Sequence, residues 1–122
     1  MCEDKGKRNW VFPDGDLPPS GDKEPLGHEA LMITNLNKED AKIKIDILFE
    51  DKAPVKDIEL TVQAERVKCI RLDMPIGANE FQIPKGQYSL VVHSNIPVVA
   101  VFGRLDVRQP NLAYYSVQGY SY

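Results

Sequence analysis

Arg104, Asp106 and Arg108 recur at two-residue spacing near the end of a long apolar stretch. On an extended chain, residues two apart share a face and lie about 7 Å from each other. A plus–minus–plus ladder of this kind is either a solvated surface feature worth little or part of a pocket or subunit interface. The same face begins with Val98, Ala100 and Phe102. A solvent face rarely starts that way, which favours the pocket or interface. The opposite face, Val99, Val101, Gly103, Leu105 and Val107, is the expected core face. Arginine suits either role, because its planar fork grips carboxylates and polar oxygens.

Other candidates lie in the first half. Glu29 shares its alternation with Leu31 and Ile33, so an extended chain points it inward. An inward carboxylate needs a cation, and Arg66, Arg71 or Arg104 could supply it. The lone tryptophan, Trp10, is either a core aromatic or a platform for a sugar or an extended segment. His28 reads first as a structural histidine. Glu29 and Asp106 are the carboxylates that could work as acid and base in an enzyme. The catalytic signatures themselves are missing. There is no phosphate loop, no dinucleotide fingerprint and no Gly-x-Ser-x-Gly elbow. Two histidines, one adjacent to Glu29, do not form a metal-binding set. No metal or cofactor is expected.

Composition limits the possibilities further. The 122 residues make one domain, with 43% hydrophobic and 27% charged residues, ordinary for a globular protein. No apolar run approaches 18 residues, so membrane insertion is not expected. Cys2 and Cys69 are the two cysteines, and the start of the chain lacks a signal-peptide core. Both points suggest a reducing, cytoplasmic setting, with Cys69 a small buried hydrophobe. Residues 1–61 hold 9 Lys/Arg against 14 Asp/Glu, and residues 62–122 hold 6 against 4. Neither half has the dense basic stripe of a nucleic-acid binder. A local anion site in the second half is compatible with this balance.

The elements that must position these groups read as strands. Ala41–Phe49 is the clearest, with Ile43, Ile45, Ile47 and Phe49 alternating against Lys42, Lys44 and Asp46. Further strands are expected at 8–12, 28–35, 58–62, 67–72, 88–94 and 98–107. Asn95-Ile96-Pro97 is expected as a tight connection, since proline cannot donate to a ladder. Residues 1–6 are expected to fray, 13–27 to form a stiff Pro/Gly loop, and 110–122 to be a Tyr-rich tail. No window shows a helical period. Strands every 8–12 residues argue for an all-β, single-domain antiparallel β-sandwich or barrel.

Four segments together resemble the small soluble sensory rhodopsin transducer family. They are Trp10 with Leu17-Pro18-Pro19-Ser20-Gly21, then Gly27-His28-Glu29-Ala30, then Glu50-Asp51-Lys52-Ala53-Pro54-Val55. The fourth is Ser94-Asn95-Ile96-Pro97-Val98-Val99 running into Arg104-Leu105-Asp106-Val107-Arg108-Gln109. The resemblance spans nearly the whole chain and implies a cytoplasmic β-sandwich that assembles as a homotetramer. It also implies a non-enzymatic role in signal transduction or small-molecule binding, with a sugar or sugar acid as the family-level ligand. The positions it carries over are Trp10, His28, Glu29, Arg66, Asn95, Arg104, Asp106 and Arg108. The chain departs from the family's pattern at Gly27, at Cys69 and in its tyrosine-rich end.

Two readings of function follow. In one, Arg104 and Asp106 hold a sugar-like or anionic ligand, with His28 and Glu29 as a polar wall and Trp10 stacking. In the other, the same face is buried between subunits, and the 13–27 loop docks to a protein partner, a rhodopsin or another.

Overall fold

The computed structural model describes residues 5–108 and 113–122. Most of the segment expected to fray, with Cys2, lies outside them, as do residues 110–112 of the tail. Among the described residues eight antiparallel strands form: β1 (Lys7–Asp16), β2 (His28–Asn35), β3 (Ala41–Phe49), β4 (Val55–Val62), β5 (Arg66–Arg71), β6 (Gln87–Asp106), β7 (Ala113–Val117) and β8 (Tyr120–Ser121). They make an all-β, single-domain fold of two layers that share one strand. In sheet I the order is β4-β3-β6-β1-β8. In sheet II, β6 pairs with β2 and β7, and β2 carries β5 on its other side. One apolar core fills the space between the layers. Phe12 of sheet I and Phe102 of sheet II stack across it at 6.1 Å.

Strand β6 is where the structure departs most from the sequence reading. The expected break at Asn95-Ile96-Pro97 is absent, and 20 residues run as one strand. The last β3–β6 pair is Ile43–Ser94 and the first β2–β6 pair is Thr34–Val99. Pro97 therefore sits where the strand crosses between the sheets, and neither β2 nor β3 needs a donor from it. Its carbonyl accepts a 2.7 Å hydrogen bond from Asn37 Nδ2 instead.

The second correction concerns the faces of this strand. Val98, Ala100 and Phe102 are buried, while Val99 is 42% exposed. Register explains the inversion. Ala100 lies opposite Ile33, Phe102 opposite Leu31, and Arg104 opposite Glu29. Paired residues share a face, and that face of β2 is fully enclosed. The face richer in aliphatic residues is the outer one.

Cys69 is also corrected, being exposed rather than buried. Strand β5 is an edge strand, and its residues 66–69 are open to solvent. At the other end, β1 extends through Pro13–Asp16 by way of a register shift between Phe12 and Gly15. The remaining 17–27 segment is closed by the Gly27 N–H donating to the Ser20 carbonyl at 2.8 Å. Gly6 is packed against the Val98 backbone rather than frayed.

Candidate functional site

Alternation along β2 drives Glu29 into the interior beside Leu31 and Ile33, and all three are 0% exposed. A carboxylate there is stable only if its oxygens are satisfied. Three donors converge on it. Arg104 Nε–H donates to Oε2 at 2.6 Å. The Tyr88 hydroxyl donates to Oε1 at 2.6 Å. The Asp16 N–H is shared between both oxygens at 3.1 Å. Charge-assisted bonds of this length are the strong class.

Each donor is placed by its strand. Arg104 lies directly opposite Glu29 in the β2–β6 ladder. Its Nη2 reaches the Asp14 carbonyl at 3.0 Å, and its guanidinium lies 5.2 Å from the centre of the Tyr115 ring. Tyr88 lies opposite Gly15. A Cβ at residue 15 would collide with the Tyr88 ring, so glycine is required for the hydroxyl to reach Glu29. The cluster thus ties β1, β2, both halves of β6 and β7 together.

Burial works to lower the Arg104 pKa, and the hydrogen bond and charge of Glu29 outweigh it, leaving it raised. Burial, then the Glu29 hydrogen bond and charge, push the Tyr88 hydroxyl far above its ordinary pKa. A raised folded-state pKa gives stability that is present below the unfolded value and lost above it. The protein should therefore lose about 1.4 kcal/mol per pH unit above pH about 10. Urea unfolding of wild type and Tyr88→Phe across pH 9–11 checks this. The variant should be less stable at neutral pH and lack that part of the alkaline decline.

The other sequence candidates do not join this cluster. Trp10 is 5% exposed, stacks on Phe12 and donates from Nε1 to the Lys7 carbonyl at 3.1 Å. It is a core aromatic and offers no open platform. His28 Nδ1 lies 2.8 Å from the Leu26 carbonyl, a local tie in the loop before β2. Asn95 Oδ1 accepts from the Lys42 N–H at 2.7 Å at the crossing of β6. Arg66 lies on edge strand β5 and donates to the Ala64 and Glu65 carbonyls. Asp106 and Arg108 pair with each other at the end of β6. The Arg108 hydrogen bonds hold the Asp106 carboxyl down at about 2.

Of these candidates, Arg66 alone lines either of two surface clefts formed by β3, β4, β5 and the segment after β5. The Glu29 cluster is closed, with no buried side-chain polar atom left unpartnered among the described residues. Its geometry serves as a clamp across the sandwich. As an acid, Glu29 has no open face toward a substrate. No group of three or more metal-ligating side chains forms among the described residues. Among the described residues no helix is long and apolar enough to cross a membrane.

Two groups escaped the sequence reading. Tyr88 begins the inward series Tyr88, Leu90, Val92. A tyrosine heading an inward strand face must satisfy its hydroxyl, and that was the available signal. The other is the outer face of sheet II. Val67 and Cys69 of β5, Met32 of β2, and Val99 and Val101 of β6 lie side by side there. Val67 is 65% exposed. None of these five carries charge.

The model of the family described as Anabaena sensory rhodopsin transducer matches residues 5–121. A crystal structure of Thermotoga maritima 1070 superposes with a TM-score of 0.84 at 37% identity, covering 96% of each chain. The structure titled Anabaena sensory rhodopsin transducer gives a TM-score of 0.73 at 34% identity, covering 89% of this chain and 96% of that one. Comparison with curated proteins finds no match.

Proposed function

The chain belongs to the Anabaena sensory rhodopsin transducer family, and from that premise we propose that it is a non-enzymatic, cytoplasmic transducer. In this reading it assembles with copies of itself through the outer face of sheet II and passes a signal to a protein partner. The observation that carries the reading is that uncharged face of Val67, Cys69, Met32, Val99 and Val101. Apolar side chains gathered on one sheet face mark an association surface. A face without charge meets its own copy with no repulsion. The homotetramer is the expected assembly. A ligand-binding role centred on Arg104 gains no support, since that side chain is committed to Glu29 within the sandwich. Of the residues nominated for a sugar ligand, Arg66 alone lines one of the two clefts, apart from Arg104 and the Glu29 cluster.

The test is the double substitution Val67→Asp with Val99→Asp. Both side chains point out of the sandwich, so the fold should survive, as read by circular dichroism. Sedimentation equilibrium should show a tetramer for wild type and a smaller species for the variant. A monomeric wild type at tens of micromolar, or a variant still tetrameric, overturns the reading.

A further inference from the structure

Strand β5 pairs with β2 over six consecutive residues, Ala30–Asn35 against Arg71–Arg66, with no register shift. Its other side has no strand partner among the described residues. Every second residue of such an edge leaves its N–H and C=O pointing outward, ready to pair. The edge of β4 is different. It carries a register shift opposite Ile45–Ile47 and a left-handed Asp57 at φ 60°, the kind of irregularity that blunts an edge.

Between these two edges lies a cleft of about 930 Å³. Leu60, Val62, Ile70, Met74 and Ile76 give it apolar walls, and the carboxylates Asp40 and Glu59, neither of them on β5, also line it. Arg66 and Lys68 stand in it, because they lie opposite Asn35 and Ile33, both on the enclosed face of β2. Neither cation is within 4.0 Å of a carboxylate among the described residues. Arg66 reaches only the carbonyls of Ala64 and Glu65, and Lys68 Nζ only that of Thr61 at 3.4 Å. Arg71, by contrast, is held by both oxygens of Asp73 at 2.8 Å.

We propose that the β5 edge accepts an extended acidic segment of a partner protein as an added strand. Its carboxylates, at alternate positions, would meet Arg66 and Lys68, and its apolar residues would run beside Val67 and Cys69. Main-chain pairing gives such binding its affinity and alternate side chains give it selectivity. Charge selects the occupant. A second β5 would set Arg66 and Lys68 against the same cations, and like charges at paired positions are disfavoured. The two inward cations thus close the edge to generic strands and open it to an anionic one.

The probe is a capped octapeptide of alternating Glu and Val, titrated by fluorescence anisotropy. Two controls accompany it: a Lys/Val octapeptide, and the Glu/Val peptide N-methylated at alternate residues on its pairing edge. The Glu/Val peptide should bind at least tenfold more tightly than either control. Amide signals of Arg66–Arg71 should shift and gain exchange protection. Arg66→Gln with Lys68→Gln, both exposed and free of carboxylates, should weaken binding at least tenfold. The proposal is overturned by equal binding of the N-methylated peptide, which would mean charge contact alone. No binding at 1 mM, or no preference for Glu over Lys, overturns it as well. Strand addition uses the free main-chain edge of β5 with Arg66 and Lys68, whereas self-assembly uses the outward side chains Val67 and Cys69 with β2 and β6, so failure here leaves self-assembly standing. A monomeric wild type would equally leave this proposal standing.

Discussion

Glu29→Gln should lower stability by about 3–5 kcal/mol, a drop of about 10–20 °C in Tm. The amide is nearly isosteric, so packing hardly changes. What changes is charge and donor count. Arg104, whose side chain is 15% exposed, would lose its counter-ion. An amide nitrogen facing Arg104 Nε would set donor against donor. Turned the other way, the same nitrogen would face the Tyr88 hydroxyl and the Asp16 N–H. Removing one member of a buried pair leaves the other's desolvation uncompensated, which is the larger part of the loss. Glu29→Leu combined with Arg104→Leu should therefore be more stable than Glu29→Gln, short of wild type by the unmet Tyr88 hydroxyl and Asp16 N–H. Guanidinium unfolding at matched protein concentration measures all three. A Glu29→Gln protein within 1 kcal/mol of wild type would show that the clamp does not hold the layers together.

The second large effect tests which face of β6 is inside. Phe102→Ala should cost about 3–5 kcal/mol, the usual range for a fully enclosed aromatic. Phe102 is 1% exposed and stacks on Phe12 across the two layers, so the cavity lies where the sheets meet and cannot easily collapse. Val99→Ala, three residues back on the outer face, should cost about 1 kcal/mol or less when measured on dissociated protein. The sequence alternation read alone anticipates the reverse order, with residue 99 the costlier site. Denaturant unfolding of the two variants decides between them.

Much of this fold was legible because period-two alternation is a local property. Strands β2 and β3 begin and end at the residues their patterns indicate. Glu29 is assignable inward from Leu31 and Ile33 alone, with Arg104 one of three arginines able to meet it. Alternation does not tell which of two apolar faces is enclosed. In β6 both faces are apolar from Val98 to Phe102, and only pairing with β2 decides. Nor does it tell an edge strand from a central one, which is why Cys69 was expected inside. Pro97 signals a break in a ladder, and a strand that passes from one sheet to the other satisfies that signal without a turn. Tyr88 was missed as a partner of Glu29 because the two lie 59 residues apart. Their meeting depends on a glycine at residue 15, in a stretch that reads as loop.

Assembly through the outer face of sheet II is measured most directly at that face itself. Cys69 lies on it and is exposed in the isolated chain. In a Cys2→Ser background, the rate of Cys69 alkylation can be followed by mass spectrometry, with and without Val67→Asp and Val99→Asp. Labelling should be slow in the parent, at least tenfold slower than in the doubly charged variant, with the two rates converging in denaturant. Equal, rapid labelling of both proteins at concentrations where the parent is tetrameric would contradict assembly through this face, and would place the subunit contact on another surface.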